Sequence, residues 1–142
     1  MSDTKNPPTP AGVSPQAIVL AHGDVADALV AAVDLITGRG DRFSPLSNQN
    51  LGAAEIDALL RERVDALGAH VIFTDLPAGS CNFAACRLLK DRPDLIVVTG
   101  VNLPALLQYA TRDTVSDAEA IADAVERGGS ALRVLRGRPS AH

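Results

Sequence analysis

Four short apolar runs, each followed within a few residues by an amphipathic stretch, constrain this chain more than any other feature of it. The runs cover residues 17–21, 43–47, 69–74 and 95–99. Runs this short, bounded by turn residues, have the length of strands. The stretches between them have helical spacing. Val25, Ala28, Leu29, Ala32, Val33 and Ile36 mark one stripe over 24–37; Ile56, Leu59, Leu60, Val64 and Leu67 mark another over 51–67. Gly38 with Gly40, and Gly68, stand where those helices should stop. Further helices are predicted over about 80–90, from 102 to about 110 with Pro104 in the first turn, and over 116–127. Ser116 and Glu119 have capping-box spacing at the start of the last one, and Gly128-Gly129 is expected to end it. Residues 131–135 alternate imperfectly and could form a final strand.

Strands alternating with helices imply an α/β domain: an open parallel sheet covered by helices on both faces. Right-handed crossovers leave few topologies, and the simplest is a doubly wound sheet of four parallel strands in the order 2-1-3-4. Pro45 lacks an amide proton, which suits the second strand to an edge. Residues 1–15 contain four prolines and few large apolar groups, so they are expected to be a flexible leader. The folded domain should occupy 16–136, followed by a short flexible tail over 137–142.

With 142 residues, 46% hydrophobic, the chain suits one domain. Aromatics are only 3% and Trp is absent, so the core must be built from Ala, Leu, Val and Ile. The formal charge of -4 argues against nucleic acid or an anionic membrane as a partner bound by bulk charge. Neither an apolar signal segment nor a run long enough to span a membrane is present, so the expected location is the cytoplasm. Cys81 and Cys86 match no zinc or redox spacing; they point to different helix faces and read as small core residues.

Chemistry concentrates at one edge. His22 closes the first apolar run and Asp75 follows the third. In the order 2-1-3-4 those strands are neighbours on either side of the switch point, where open α/β sheets bind ligands. A carboxylate beside an imidazole fixes its tautomer, leaves the other ring nitrogen free to attack, and stabilises positive charge developing on the ring. Gly23 opens the turn after His22; Gly79 and Ser80 lead into a helix whose amides and dipole could hold phosphate; Asn102 lies in another strand-to-helix turn at the same edge. Each also has an ordinary role: a solvated histidine, an aspartate capping a turn, and Ser80 and Asn102 as helix caps. His70 begins a strand at the opposite edge and His142 is terminal, so neither joins this set. No His, Cys and carboxylate spacing suggests a metal, and neither metal nor cofactor is expected.

Residues Ile18-Val19-Leu20-Ala21-His22-Gly23, Phe73-Thr74-Asp75-Leu76 with Gly79-Ser80, and Thr99-Gly100-Val101-Asn102-Leu103-Pro104 together resemble three signatures of one family. It is the mannose-family enzyme IIA domain of the phosphoenolpyruvate-dependent sugar phosphotransferase system, and the resemblance covers about 17–135. It implies that His22 accepts a phosphoryl group from the carrier protein HPr and passes it to an enzyme IIB partner, with Asp75 hydrogen-bonded to the histidine. It implies a homodimer exchanging its last strand, here near 132–135, and contact with a membrane only indirectly, through a transporter. The loop departs from the family pattern Asp-x-x-Gly-Gly-Ser-Pro-Phe-Asn: Ala78 stands for a glycine, Cys81 for a proline, and Asn82-Phe83 in swapped order. That altered loop motivates an alternative, a regulatory interaction module whose partner binding depends on the phosphorylation state of His22. A flavodoxin-like small-ligand binder is the third class; the chain has no Gly-rich dinucleotide fingerprint and few aromatics to stack on a flavin.

Overall fold

The computed structural model of the chain describes residues 16–112 and 115–139. Four strands, β1 (Ala17–Ala21), β2 (Phe43–Ser47), β3 (Val71–Thr74) and β4 (Ile96–Val98), form one sheet in the order β2-β1-β3-β4. All three pairings are parallel. β1 lies inside the sheet and all five of its residues are buried, which explains its unbroken apolar sequence: a strand covered on both faces has no reason to alternate. Pro45 lies on the edge strand β2, as its missing donor requires. The expected leader, residues 1–15, lies outside the described residues, as does His142.

Between the strands run α1 (Val25–Thr37), α2 (Ala53–Leu67), α3 (Ser80–Asp91), α4 (Leu103–Ala110) and α5 (Asp117–Ala131). Successive β1 side chains point to opposite faces and seed two cores. Ala17, Val19 and Ala21 join Phe73 to α1, α4 and α5; Ile18 and Leu20 join Ile72 to α2 and α3. The sheet is thus covered on both faces, as expected. Three of the four aromatic residues gather in the first core, where the rings of Phe43, Phe73 and Tyr109 lie 5.3–6.1 Å apart. Burial pushes the Tyr109 hydroxyl up to about 12. On the other face, exposed ion pairs Asp57–Arg87, Arg61–Asp91 and Asp65–Arg92 join α2 to α3. Exposed pairs of this kind add little stability, about 0–1 kcal/mol each. Among the described residues, no helix is long and apolar enough to cross a membrane.

Three expectations need correction. Gly128-Gly129 does not end the last helix, which continues to Ala131. The reason is packing: a Cβ at Gly128 would lie 2.8 Å from Asn102 Oδ1 and 2.9 Å from Ala105 Cβ, so that glycine lets α5 approach α4. Residues 131–135 form no strand within this chain; Ala131 is helical, and 132–139 take neither helix nor strand and lie exposed. Cys86 is not a core residue. Five residues after the buried Cys81, it turns to the solvent side of α3.

Candidate active site

The carboxyl ends of β1 and β3 bring His22 and Asp75 together. Leu20, two residues before His22, is the register partner of Thr74, one residue before Asp75, so the chains leave the sheet side by side. Asp75 Oδ2 accepts a hydrogen bond from the His22 backbone amide at 3.0 Å. The same oxygen lies 3.0 Å from His22 Nδ1, and Oδ1 lies 3.2 Å from it. An ionised carboxylate has no proton to give, so this contact places an imidazole proton on Nδ1, and a neutral ring then has its lone pair on Nε2. The imidazole side chain is 40% exposed while that of Asp75 is 13% exposed. The carboxylate is therefore sheltered and the imidazole reachable from solvent.

Gly79 closes the far side of the ring. It caps α3 with φ 108° and ψ 173°, a region open essentially to glycine alone. A Cβ there would come within 3.4 Å of His22 Cε1 and 3.5 Å of Nε2. The amino end of α3, whose first amides have no partner within the helix and which carries the positive end of its dipole, thus abuts the Nε2 edge of the imidazole. Ser80 is the first residue of α3 rather than its cap, so the expected capping role passes to Gly79. The Ser80 hydroxyl accepts from Asn48 Nδ2 at 3.0 Å.

Asn48 and Ser47, which sequence reasoning did not single out, tie the turns together. Asn48 Oδ1 accepts from the Gly23 amide at 3.3 Å, and Ser47 Oγ donates to the Gly23 carbonyl at 2.8 Å. Their signal was the register: Ser47 pairs with Ala21, so the end of β2 must flank the turn after β1. Buried Asn82 holds the loop from beneath. It donates to the Pro77 carbonyl at 2.9 Å and accepts from Thr74 Oγ1 at 3.1 Å. Asn102 behaves differently. Its side chain accepts from the Ala105 amide at 3.1 Å and donates to the Gly128 carbonyl at 2.9 Å. It caps α4 and anchors α5, and among the described residues no hydrogen bond joins it to His22, Asp75 or Ser80. His70 lies exposed just before β3, 3.6 Å from Asp94, at the other end of the strand from Asp75.

Cys81 was read only as a core residue. Its sulfur lies 3.9 Å from His22 Nδ1, and burial, with the Asp75 charge adding to it, pushes its thiol up to about 11. Folding brings together a set that could hold a metal ion: ligand atoms of His22, Asp75 and Cys81 lie within 4.8 Å of one another. No spacing announces this set, because it is drawn from three separate turns and helix starts.

Comparison with known proteins gives a consistent result. The family described as PTS system fructose IIA component, EIIA-man, matches residues 16–126. The mannose-specific EIIAB component of the phosphotransferase system from Escherichia coli (strain K12) is 29% identical over 129 residues, covering 86% of this chain and 40% of that protein. The chain therefore spans well under half the length of that relative. The mannose/sorbose-specific IIA subunit from Enterococcus faecalis superposes with a TM-score of 0.75 at 20% identity, over 90% of this chain and 99% of that one. Component EIIA from Streptococcus agalactiae gives 0.76 at 18% identity, over 84% and 95%. At these identities, the likeness of the solved structures is one of fold.

Proposed function

Because this chain belongs to the EIIA-man family of phosphotransferase-system IIA components, we propose that it is a phosphocarrier whose acceptor is Nε2 of His22. The observation that carries this reading is the Asp75 carboxylate on Nδ1, which in a neutral ring leaves the lone pair on Nε2, on a half-exposed side chain. In the transfer, the Nε2 lone pair attacks phosphorus and an Nε2–P bond forms. The bond from phosphorus to the donor nitrogen breaks, and its electron pair returns to the donor. His22 becomes positively charged as it is phosphorylated, and Asp75 stabilises that charge through the retained Nδ1 proton. Gly79, Ser80 and the first amides of α3 face the phosphoryl oxygens, and Gly23 sets the turn that presents the ring.

The donor in this reading is the phosphohistidine of HPr and the acceptor an enzyme IIB protein, which places the reaction in the cytoplasm and its contact with a membrane in the transporter beyond. Exposed Val25, Leu76 and Phe83, on the elements framing the site, suit docking of protein partners. The carrier acts as a homodimer through residues 132–135. Support for that comes from the half-buried edge strand β4, which among the described residues pairs on one side only, and from the apolar side chains of the exposed tail.

Incubation with phosphoenolpyruvate, enzyme I and HPr should give an acid-labile, alkali-stable adduct. His22→Ala should abolish it, and Asp75→Asn should slow its formation by about 10²- to 10⁴-fold, as loss of a tautomer-fixing carboxylate does elsewhere. Equal labelling of His22→Ala and the parent would overturn the assignment.

A further inference from the structure

We propose that His22, Asp75 and Cys81 form a site for a thiophilic divalent cation of the zinc class, and that the bound cation holds His22 in a form that cannot accept a phosphoryl group. The consequence for transfer rests on the phosphocarrier reading; the site itself does not.

The spacing suits a tetrahedral cation. With metal–ligand distances of about 2.0–2.1 Å to nitrogen and oxygen and about 2.3 Å to sulfur, tetrahedral edges are about 3.3 Å for N···O and 3.6 Å for N···S. His22 Nδ1 lies 3.2 Å from Asp75 Oδ1 and 3.9 Å from Cys81 Sγ. All three ligand atoms lie within 4.8 Å of one another, so side-chain movements of up to about 1 Å would bring them onto three corners. Asp75 Oδ2 need not move, because it stays on the His22 backbone amide. A water molecule would take the fourth corner. Imidazole, carboxylate and thiolate are the donors that zinc accepts, whereas magnesium and calcium favour oxygen alone. A thiolate and a carboxylate also cancel the two positive charges of the cation, so the filled site is neutral.

Binding and phosphoryl acceptance need opposite tautomers. The cation takes the Nδ1 lone pair, so the imidazole proton moves to Nε2, and the thiol proton of Cys81 leaves to solvent. Nε2 then has no lone pair with which to attack phosphorus. The cation also occupies the Asp75 oxygen that would otherwise stabilise the charged ring. Cys81 is the group that makes this possible, and it stands where the family pattern has a proline.

Cobalt(II), added to the metal-free full-length protein, is the probe. The parent should show a thiolate-to-cobalt charge-transfer band in the near ultraviolet with intense visible bands of a tetrahedral ion. Cys81→Ser and His22→Ala, each checked for native far-ultraviolet circular dichroism, should lose the charge-transfer band. Absence of that band in the parent, or its survival in both variants, would overturn the site. In the labelling reaction, zinc at about ten times its dissociation constant should slow the parent about tenfold, in proportion to the metal-free fraction. Cys81→Ser should label at one rate with and without zinc, which separates the effect from inhibition of enzyme I or HPr. Parent labelling unchanged by saturating zinc would overturn the block. Failure of the parent to label without zinc would instead remove the phosphocarrier reading, and with it the block, while the cobalt spectrum still decides the site.

Discussion

Gly79 is constrained by its backbone and lies against the reactive ring. Its φ of 108° is closed to side chains, and a Cβ there would touch the imidazole of His22 at van der Waals distance. Strain of that kind costs about 1–3 kcal/mol. Gly79→Ala should therefore lower stability in urea by about 1–3 kcal/mol, and should slow phosphorylation even where the variant remains folded, because the methyl group crowds Nε2. Unchanged labelling by a folded Gly79→Ala protein would show that the start of α3 does not contact the transferred group. His22 and Asp75 were legible as a pair because both end strands whose neighbours follow from topology. Asn48 and Cys81 were not. Asn48 looks like any polar loop residue until the β1–β2 register is known, and Cys81 has the size and apolarity of a core residue until its distance to Nδ1 is measured.

Helix α5 shows two adjacent glycines doing different work. Gly128 is buried at the crossing with α4, where Asn102 bonds its carbonyl; Gly129 has nothing within 4 Å of its missing Cβ. Alanine is the better helix former by about 1 kcal/mol, so Gly129→Ala should raise stability by roughly 0.5–1 kcal/mol. Gly128→Ala gains the same propensity but forces a methyl group against Asn102 and Ala105, and overpacking costs about 1–3 kcal/mol. It should come out net destabilising, with the two variants moving the thermal midpoint in opposite directions. Reading Gly128-Gly129 as a stop failed because local propensity cannot distinguish a glycine that ends a helix from one that lets a second helix approach. The stops at Gly38 and Gly68 were read correctly: each amide closes back onto its helix, on Asp34 and Val64.

For the molecule as a whole, the open ends of the fold matter most. After α5, Leu132, Val134 and Leu135 are 87%, 74% and 87% exposed, while among the described residues no strand pairs with the outer edge of β4. A sheet edge without a partner and an apolar tail without a core are both unfavourable in water. If copies of the chain satisfy both by exchanging their tails, light scattering after size exclusion should give a dimer for the full chain. Removal of residues 132–142 should give a monomer with the parent far-ultraviolet circular dichroism. A monomeric full chain would remove the exchange.

Periodicity and punctuation were enough to specify the four strands, their helices and the order β2-β1-β3-β4, because burying an apolar stripe against an apolar strand is a local requirement repeated along the chain. They were also enough to place His22 and Asp75 at one edge, since a parallel sheet puts all its strand ends of one kind on the same side. Which atoms touch was settled by packing between distant segments. The carboxylate on Nδ1, the thiol behind it, the Asn48 bridge and the glycine under α4 all depend on separations of a few ångströms between residues far apart in the chain. Sequence spacing carries no information about such distances until the two cores have closed around β1.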